Sequence, residues 1–224
     1  MNAIKRLLAT LSLGYILYFY SELAFWSRWK ADDTIIGGAL MTWLIYSVLA
    51  FFVLLMAEHF KADSPYPVFL VGGAVFGWLV EGVIVQEAYK AFPPFQLVWT
   101  PLAWHALISM LLGAYLARRA IGEWSLPRAA ALFAGLGVLL GLWATYWKLE
   151  DGYAVSVEHF AAYTLIPAVF LVVAYFALDL TSPAEFIPTR WEIGGAFGAV
   201  VAFFALFTFM AVPFSPLCSF PCLP

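Results

Sequence analysis

Charge is scarce in this sequence. Asp, Glu, Lys and Arg make up 11% of its 224 residues, less than half of the roughly 25% usual in a soluble domain. There is no basic run and no acidic tail, which excludes the electrostatic footprint of a nucleic-acid-binding protein. Histidine is rarer still, with His59, His105 and His159 the whole complement. Three are too few for the multi-histidine di-iron sites of membrane desaturases and hydroxylases. Cysteine occurs twice, at Cys218 and Cys222 in the tail "PFSPLCSFPCLP", so a disulfide scaffold is excluded. The pair can close a small-loop disulfide if the tail faces an oxidising compartment. It can equally stay as free thiols, and it makes a poor metal site because no further Cys or His lies near it.

Other absences narrow the chemistry. The sequence contains no HExxH, GxSxG, P-loop or CxxCH motif, which removes the best-marked zinc, serine-hydrolase, nucleotide and haem-attachment classes. Its last apolar run has no lysine, so a retinal Schiff base is excluded. His105 and His159 can in principle ligate a haem, but no spacing requires one. No cofactor and no metal are expected.

What is present is apolar surface. Hydrophobic residues reach 64% and the mean hydropathy is +0.90, placing the chain in the membrane class. A bilayer core takes about 20 apolar residues per helix. Seven segments qualify, at approximately 7–26, 35–57, 67–89, 97–118, 128–148, 159–179 and 191–213. The fold expected is an all-α integral membrane protein, a compact seven-helix transmembrane bundle forming one domain over 1–224. The first run follows Lys5 and Arg6 as a signal peptide would. It is too long for a signal h-region and has no small-residue cleavage site, so it reads as a retained helix. The breaks carry charge, Pro and Gly ("SRWKADD", "EHFKADSPYP", "KAFPPF") and are short, so neighbouring helices should run antiparallel.

Orientation follows from the short loops. With the N-terminus inside, Lys5, Arg6, Lys61, Arg118, Arg119, Arg128 and Arg190 fall inside, against Arg28, Lys30, Lys90 and Lys148 outside. The excess favours N-inside and C-outside in a multi-pass protein of the plasma (inner) membrane. Its expected partners are membrane lipids and a lipid-soluble small molecule. The sequence does not set an oligomeric state.

Polar residues are skewed in depth. Glu22, Glu81, His105, Tyr146, Tyr163 and Tyr46 all fall toward the outer side, while the inner halves are mostly Leu, Val, Ala, Phe and Gly. A cavity opening to the outer leaflet is therefore expected. On helix 3, Gly73, Gly77 and Glu81 are spaced i, i+4, i+8, a small-residue stripe that lets helices approach closely and aims Glu81 at a neighbour. Pro101, His105 and Ser109 make a similar stripe on helix 4, and Gly137, Gly141, Thr145 and Lys148 one on helix 5, all read as inward faces.

An ionisable residue inside a transmembrane segment marks a functional site by default. Glu81 and His105 sit on helices joined by a short loop at similar depth and can share a proton. A carboxylic acid kept protonated by burial can donate to an apolar substrate while a histidine relays. Glu81, His105 and Glu22 are the candidate catalytic residues. Tyr18, Tyr46, Trp78, Trp104, Trp143, Tyr146 and Tyr163 are the candidate lining of the substrate cavity. The function expected is a membrane enzyme doing acid–base chemistry on an isoprenoid or acyl lipid, of isomerase, cyclase or transferase type. Alternatives are a proton- or solute-coupled transporter, or an accessory subunit whose polar groups only lock helices together. Against transport stand the lack of an inverted repeat and of paired broken helices.

Overall fold

A computed structural model describes residues 1–26, 35–59, 65–89, 95–151, 156–181 and 185–210. The described residues are helical, without a strand. Seven helices appear in chain order. These are α1 (Ala3–Trp26), α2 (Ile35–His59), α3 (Pro65–Leu79 continuing through Val80–Ile84), α4 (Phe95–Glu123), α5 (Leu126–Asp151), α6 (Val157–Asp179) and α7 (Arg190–Met210). Six of them are long and apolar enough to cross a membrane, and the described apolar part of α3, Phe69–Ile84, is shorter. The tail holding Cys218 and Cys222, and the loop cations Arg28, Lys30, Lys61 and Lys90, lie outside the described residues.

Local signals set the helix ends. Asn2 caps α1 by accepting the Lys5 amide at 2.9 Å. Ser156 does the same for α6 through the His159 amide. The sequence "TRWE" forms a capping box at the start of α7, with Thr189 and Glu192 each taking the other's backbone N–H, which satisfies two donors that the first turn leaves open. Helix 3 stops earlier than its apolar run suggests. Instead of continuing to Tyr89 it ends at Ile84, and Gln86 takes a positive φ of 58°. The αL backbone there ends the helix, and only a single 3₁₀ turn, Glu87–Tyr89, follows.

The bundle is built around α1, whose apolar window is 61% buried. α2, α4 and α6 pack around it, and α3 lies along α4. By contrast Leu136 is the one buried residue among those described in α5, and only 6% of the apolar window of α7 is buried. The Gly137–Gly141 stripe of α5, expected to face inward, meets nothing: a Cβ at Gly135, Gly137 or Gly141 would find open space. The reason is position, since α5 touches little more than the end of α1 and the rim of α4. The small-residue stripe of α3 does pack. A Cβ on Gly73 would come within 2.7 Å of the Ala106 backbone, and one on Gly77 within 2.5 Å of the Pro101 carbonyl.

The contacts at each end set the helix directions, with α1, α5 and α7 running one way and α4 and α6 the other. Arg6 at the start of α1 makes a two-pronged pair with both carboxylate oxygens of Glu192 at the start of α7. Arg118 near the end of α4 pairs with Asp179 at the end of α6. At the opposite end, Tyr163 donates to the Leu23 carbonyl and Trp143 to that of Phe25. These ends are called here the Arg6 face and the Trp26 face.

Gly77→Leu should lower the unfolding temperature in detergent, by an overpacking cost of about 1–3 kcal/mol, because the obstructing atoms are backbone. Gly135→Ala should leave it unchanged or slightly raised. Equal melting of the two variants would refute the close α3–α4 contact.

A buried polar chain across three helices

The candidate site forms where α1, α3 and α4 meet. α1 supplies Ser21 and Glu22, α3 supplies Glu81, and α4 supplies His105 and Ser109. Glu81 and Glu22 lie in short π-helical turns, Val80–Ile84 and Phe19–Leu23, and His105 in the longer π-helical stretch Trp99–Ala117. A π turn takes an extra residue and shifts the side chains beyond it around the helix. Such turns occur frequently at functional sites.

Glu81 and His105 are in contact, with the His105 Nε2 3.3 Å from Glu81 Oε1. The other ring nitrogen, Nδ1, lies 3.0 Å from Ser21 Oγ, and Ser21 Oγ lies 2.8 Å from Ser109 Oγ. All four residues are buried, Glu81 to 4% exposure and Ser109 to 0%. The Phe76 ring stands edge-on to the imidazole and closes the apolar wall. The second oxygen of Glu81, Oε2, is buried with no hydrogen-bond partner among the described residues. An unmatched carboxylate oxygen in an apolar interior is costly, so it marks where a proton or a polar group is wanted.

Protons in this chain have two satisfied arrangements. With Glu81 ionised, Nε2–H donates to it, Nδ1 accepts from Ser21, and Ser21 accepts from Ser109. With one proton added to Glu81, the carboxylic acid donates to Nε2, Nδ1–H donates to Ser21, and Ser21 donates to Ser109. A single proton thus reverses the whole chain without leaving a bond unmade, which is what a relay requires.

Glu22 belongs to an adjoining arm. It accepts from the Tyr46 hydroxyl and from the Trp26 indole at 3.1 Å, so it is held inside the bundle instead of reaching for the interface. Glu22 follows Ser21 directly in the π turn Phe19–Leu23, which joins the two arms.

The aromatic candidates divide by place. Tyr18 and Tyr46 are buried beside the cluster, with their rings 6.1 Å apart. Trp104 donates to the Tyr20 carbonyl at 3.0 Å and packs with Phe25 and Trp143. Tyr146, itself exposed, stacks on Trp143. Tyr163 is buried and tied to Leu23. Trp78 stands apart, 45% exposed, with its indole on the Leu97 carbonyl.

Two clefts formed by described residues lie beside the cluster or below it. An apolar crevice lined by Phe19, Leu23, Leu140, Phe160, Tyr163 and Thr164 has a volume of about 20 Å³, room for about one water. A polar cleft at the Arg6 face is bounded by Tyr115, Arg118, Arg119, Glu123 and Asp179. Among the described residues, no group of three His, Cys, Asp or Glu is placed to hold a metal ion.

Sequence reasoning missed Ser21, Ser109 as a functional group, and a second polar step. The Tyr175 hydroxyl donates to the Gly113 carbonyl at 2.8 Å and meets the Tyr20 hydroxyl at 3.2 Å. Tyr20 reaches this depth because helical side chains lean toward the N-terminus. Gly113 leaves room for the Tyr20 ring to lie against the α4 backbone. The half of the bundle nearer Arg6 is therefore not wholly apolar, against the expectation from the sequence.

Tyr46→Phe removes a donor to the partly buried Glu22 and should cost about 1.5–3 kcal/mol, read as a fall in unfolding temperature. Val138→Ala, at an exposed side chain, should melt close to the parent. An unchanged melt for Tyr46→Phe would show that Glu22 does not depend on this bond.

Comparison with protein-family models, with curated proteins and with solved structures finds no match, so the chemistry of the buried chain is what carries the functional reading.

Proposed function

We propose that the protein is a multi-pass integral membrane enzyme that performs acid–base chemistry on a lipid-soluble substrate, an isoprenoid or an acyl lipid. Its apolar helical bundle supports the membrane setting. The observation that carries the enzymatic part is the Glu81–His105–Ser21–Ser109 chain with its unmatched Glu81 oxygen. Glu81 is the group that gives or takes the substrate proton, His105 passes it on, and Glu22 is a second acid held by Tyr46. The gathering of Arg6, Arg118, Arg119 and Arg190 at one face supports placing that face inside.

A proton-coupled transporter is the alternative. The Tyr20–Tyr175 pair favours it, since it carries polarity from the cluster toward Arg118.

Incubation of the purified chain in D₂O with vesicles of mixed isoprenoid and acyl lipids distinguishes the two. An acid–base enzyme should introduce deuterium into one lipid class or convert it, as seen by mass spectrometry. Glu81→Gln, which keeps size and folding, should slow this by roughly 10²–10⁴-fold. An equal rate in Glu81→Gln would remove Glu81 from the mechanism. Proton flux into sealed vesicles without lipid conversion would establish the transporter.

A further inference from the structure

Three helices place a hydroxyl, an imidazole and a carboxylate in line. Ser21 Oγ is 3.0 Å from one nitrogen of His105, and the other nitrogen is 3.3 Å from Glu81. This is the order nucleophile, base and orienting acid by which an activated serine is recognised, through geometry and role, not sequence position. We propose that Ser21 is an acyl-accepting nucleophile, activated by His105 and Glu81, and that the substrate is the ester of an acyl lipid. The proposal rests on the acid–base reading of the same site, narrows its two lipid classes to one, and differs from it in the acyl step, where His105 takes and returns the proton while Glu81 holds the imidazole.

Each residue has a defined part. An ionised Glu81 fixes the imidazole with its proton on Nε2, so that Nδ1 faces Ser21 as an acceptor. Ser21 Oγ attacks the ester carbonyl while its proton passes to Nδ1. Collapse of the tetrahedral intermediate breaks the bond to the alkoxy group, and that oxygen leaves as an alcohol with the proton from Nδ1. Ser21 then carries the acyl group. A hydroxyl acceptor, water or a lipid alcohol, gives its proton to Nδ1 and attacks the acyl-serine. Ser21 recovers a proton from His105, and an acid or a new ester departs. No electron transfer is involved, and the imidazolium formed in each half lies against Glu81. Ser109, at 2.8 Å, donates to Ser21 Oγ as its own proton leaves.

The surroundings are apolar. The π turn that carries Ser21, Phe19–Leu23, also forms one wall of the small apolar crevice through Phe19 and Leu23. Phe160 and Leu140 complete its walls.

A long-chain alkyl fluorophosphonate, applied to the full chain in lipid nanodiscs, tests this. The expected result is a covalent adduct that maps by peptide mass spectrometry to Ser21. Labelling of His105→Gln should be slower by roughly 10²–10⁴-fold, with its unfolding temperature checked in parallel. Mapping on the native chain needs no variant at Ser21. Failure to label Ser21 in the folded protein overturns the proposal, as does labelling at the same rate without His105. If Ser21 stays unlabelled while Glu81-dependent deuterium exchange persists, only the acyl step fails and the acid–base enzyme stands.

Discussion

A carboxylate cannot remain unaccompanied in an apolar interior, and the centre of this bundle is arranged to give Glu81 a partner. The partner is on α4, and α4 reaches it only because Gly73 and Gly77 present no side chain toward Ala106 and Pro101. The glycine stripe and the acid are one device. The stripe sets the distance between two backbones, and that distance sets the contact between Glu81 and His105. His105 then extends the contact to the central helix through Ser21. Burial of the imidazole is compatible with its polarity because both nitrogens are engaged.

The same economy of polar groups organises the rest of the molecule. α1, the most buried helix, contributes to most of the hydrogen bonds between helices among the described residues, through Tyr15, Tyr20, Ser21, Glu22 and the carbonyls of Leu23 and Phe25. α5 and α7 hold few buried residues and turn apolar side chains such as Leu139, Leu142, Phe197 and Phe204 outward. In lipid such faces need no protein neighbour. A polar hub inside an apolar rim is the inverse of a soluble fold.

Much of this is visible in the residues. Spacing alone put Glu81 on the packing face of α3 and His105 on that of α4, because a four-residue repeat is geometric and survives modest distortion. The glycines of α5 show the limit of the same logic. Gly137 and Gly141 repeat as Gly73 and Gly77 do, but no helix lies against them, and sequence carries no record of which neighbour is present. Ser21 was hidden for another reason. It sits in a π turn between Tyr20 and Glu22, and the extra residue moves it off the face that a regular α-helical count from Tyr15 and Tyr18 assigns. Tyr20 and Tyr175 were missed because they lie at opposite chain depths, and only the length of a tyrosine, leaning toward its N-terminus, lets them meet.

The π turns have a further meaning for how this protein tolerates change. A helix advances about 100° per residue, so the angular position of each site residue is a count of residues as much as a chemical identity. Inserting one further residue into Phe19–Leu23 would exceed what the wide turn absorbs and swing Phe25 and Trp26 around α1 by about that angle. Every side chain of the site would still be present, and the centre would be out of phase. Here the spacing of the chain matters as much as its residues, and a single-residue insertion in these turns is as consequential as the loss of an acid.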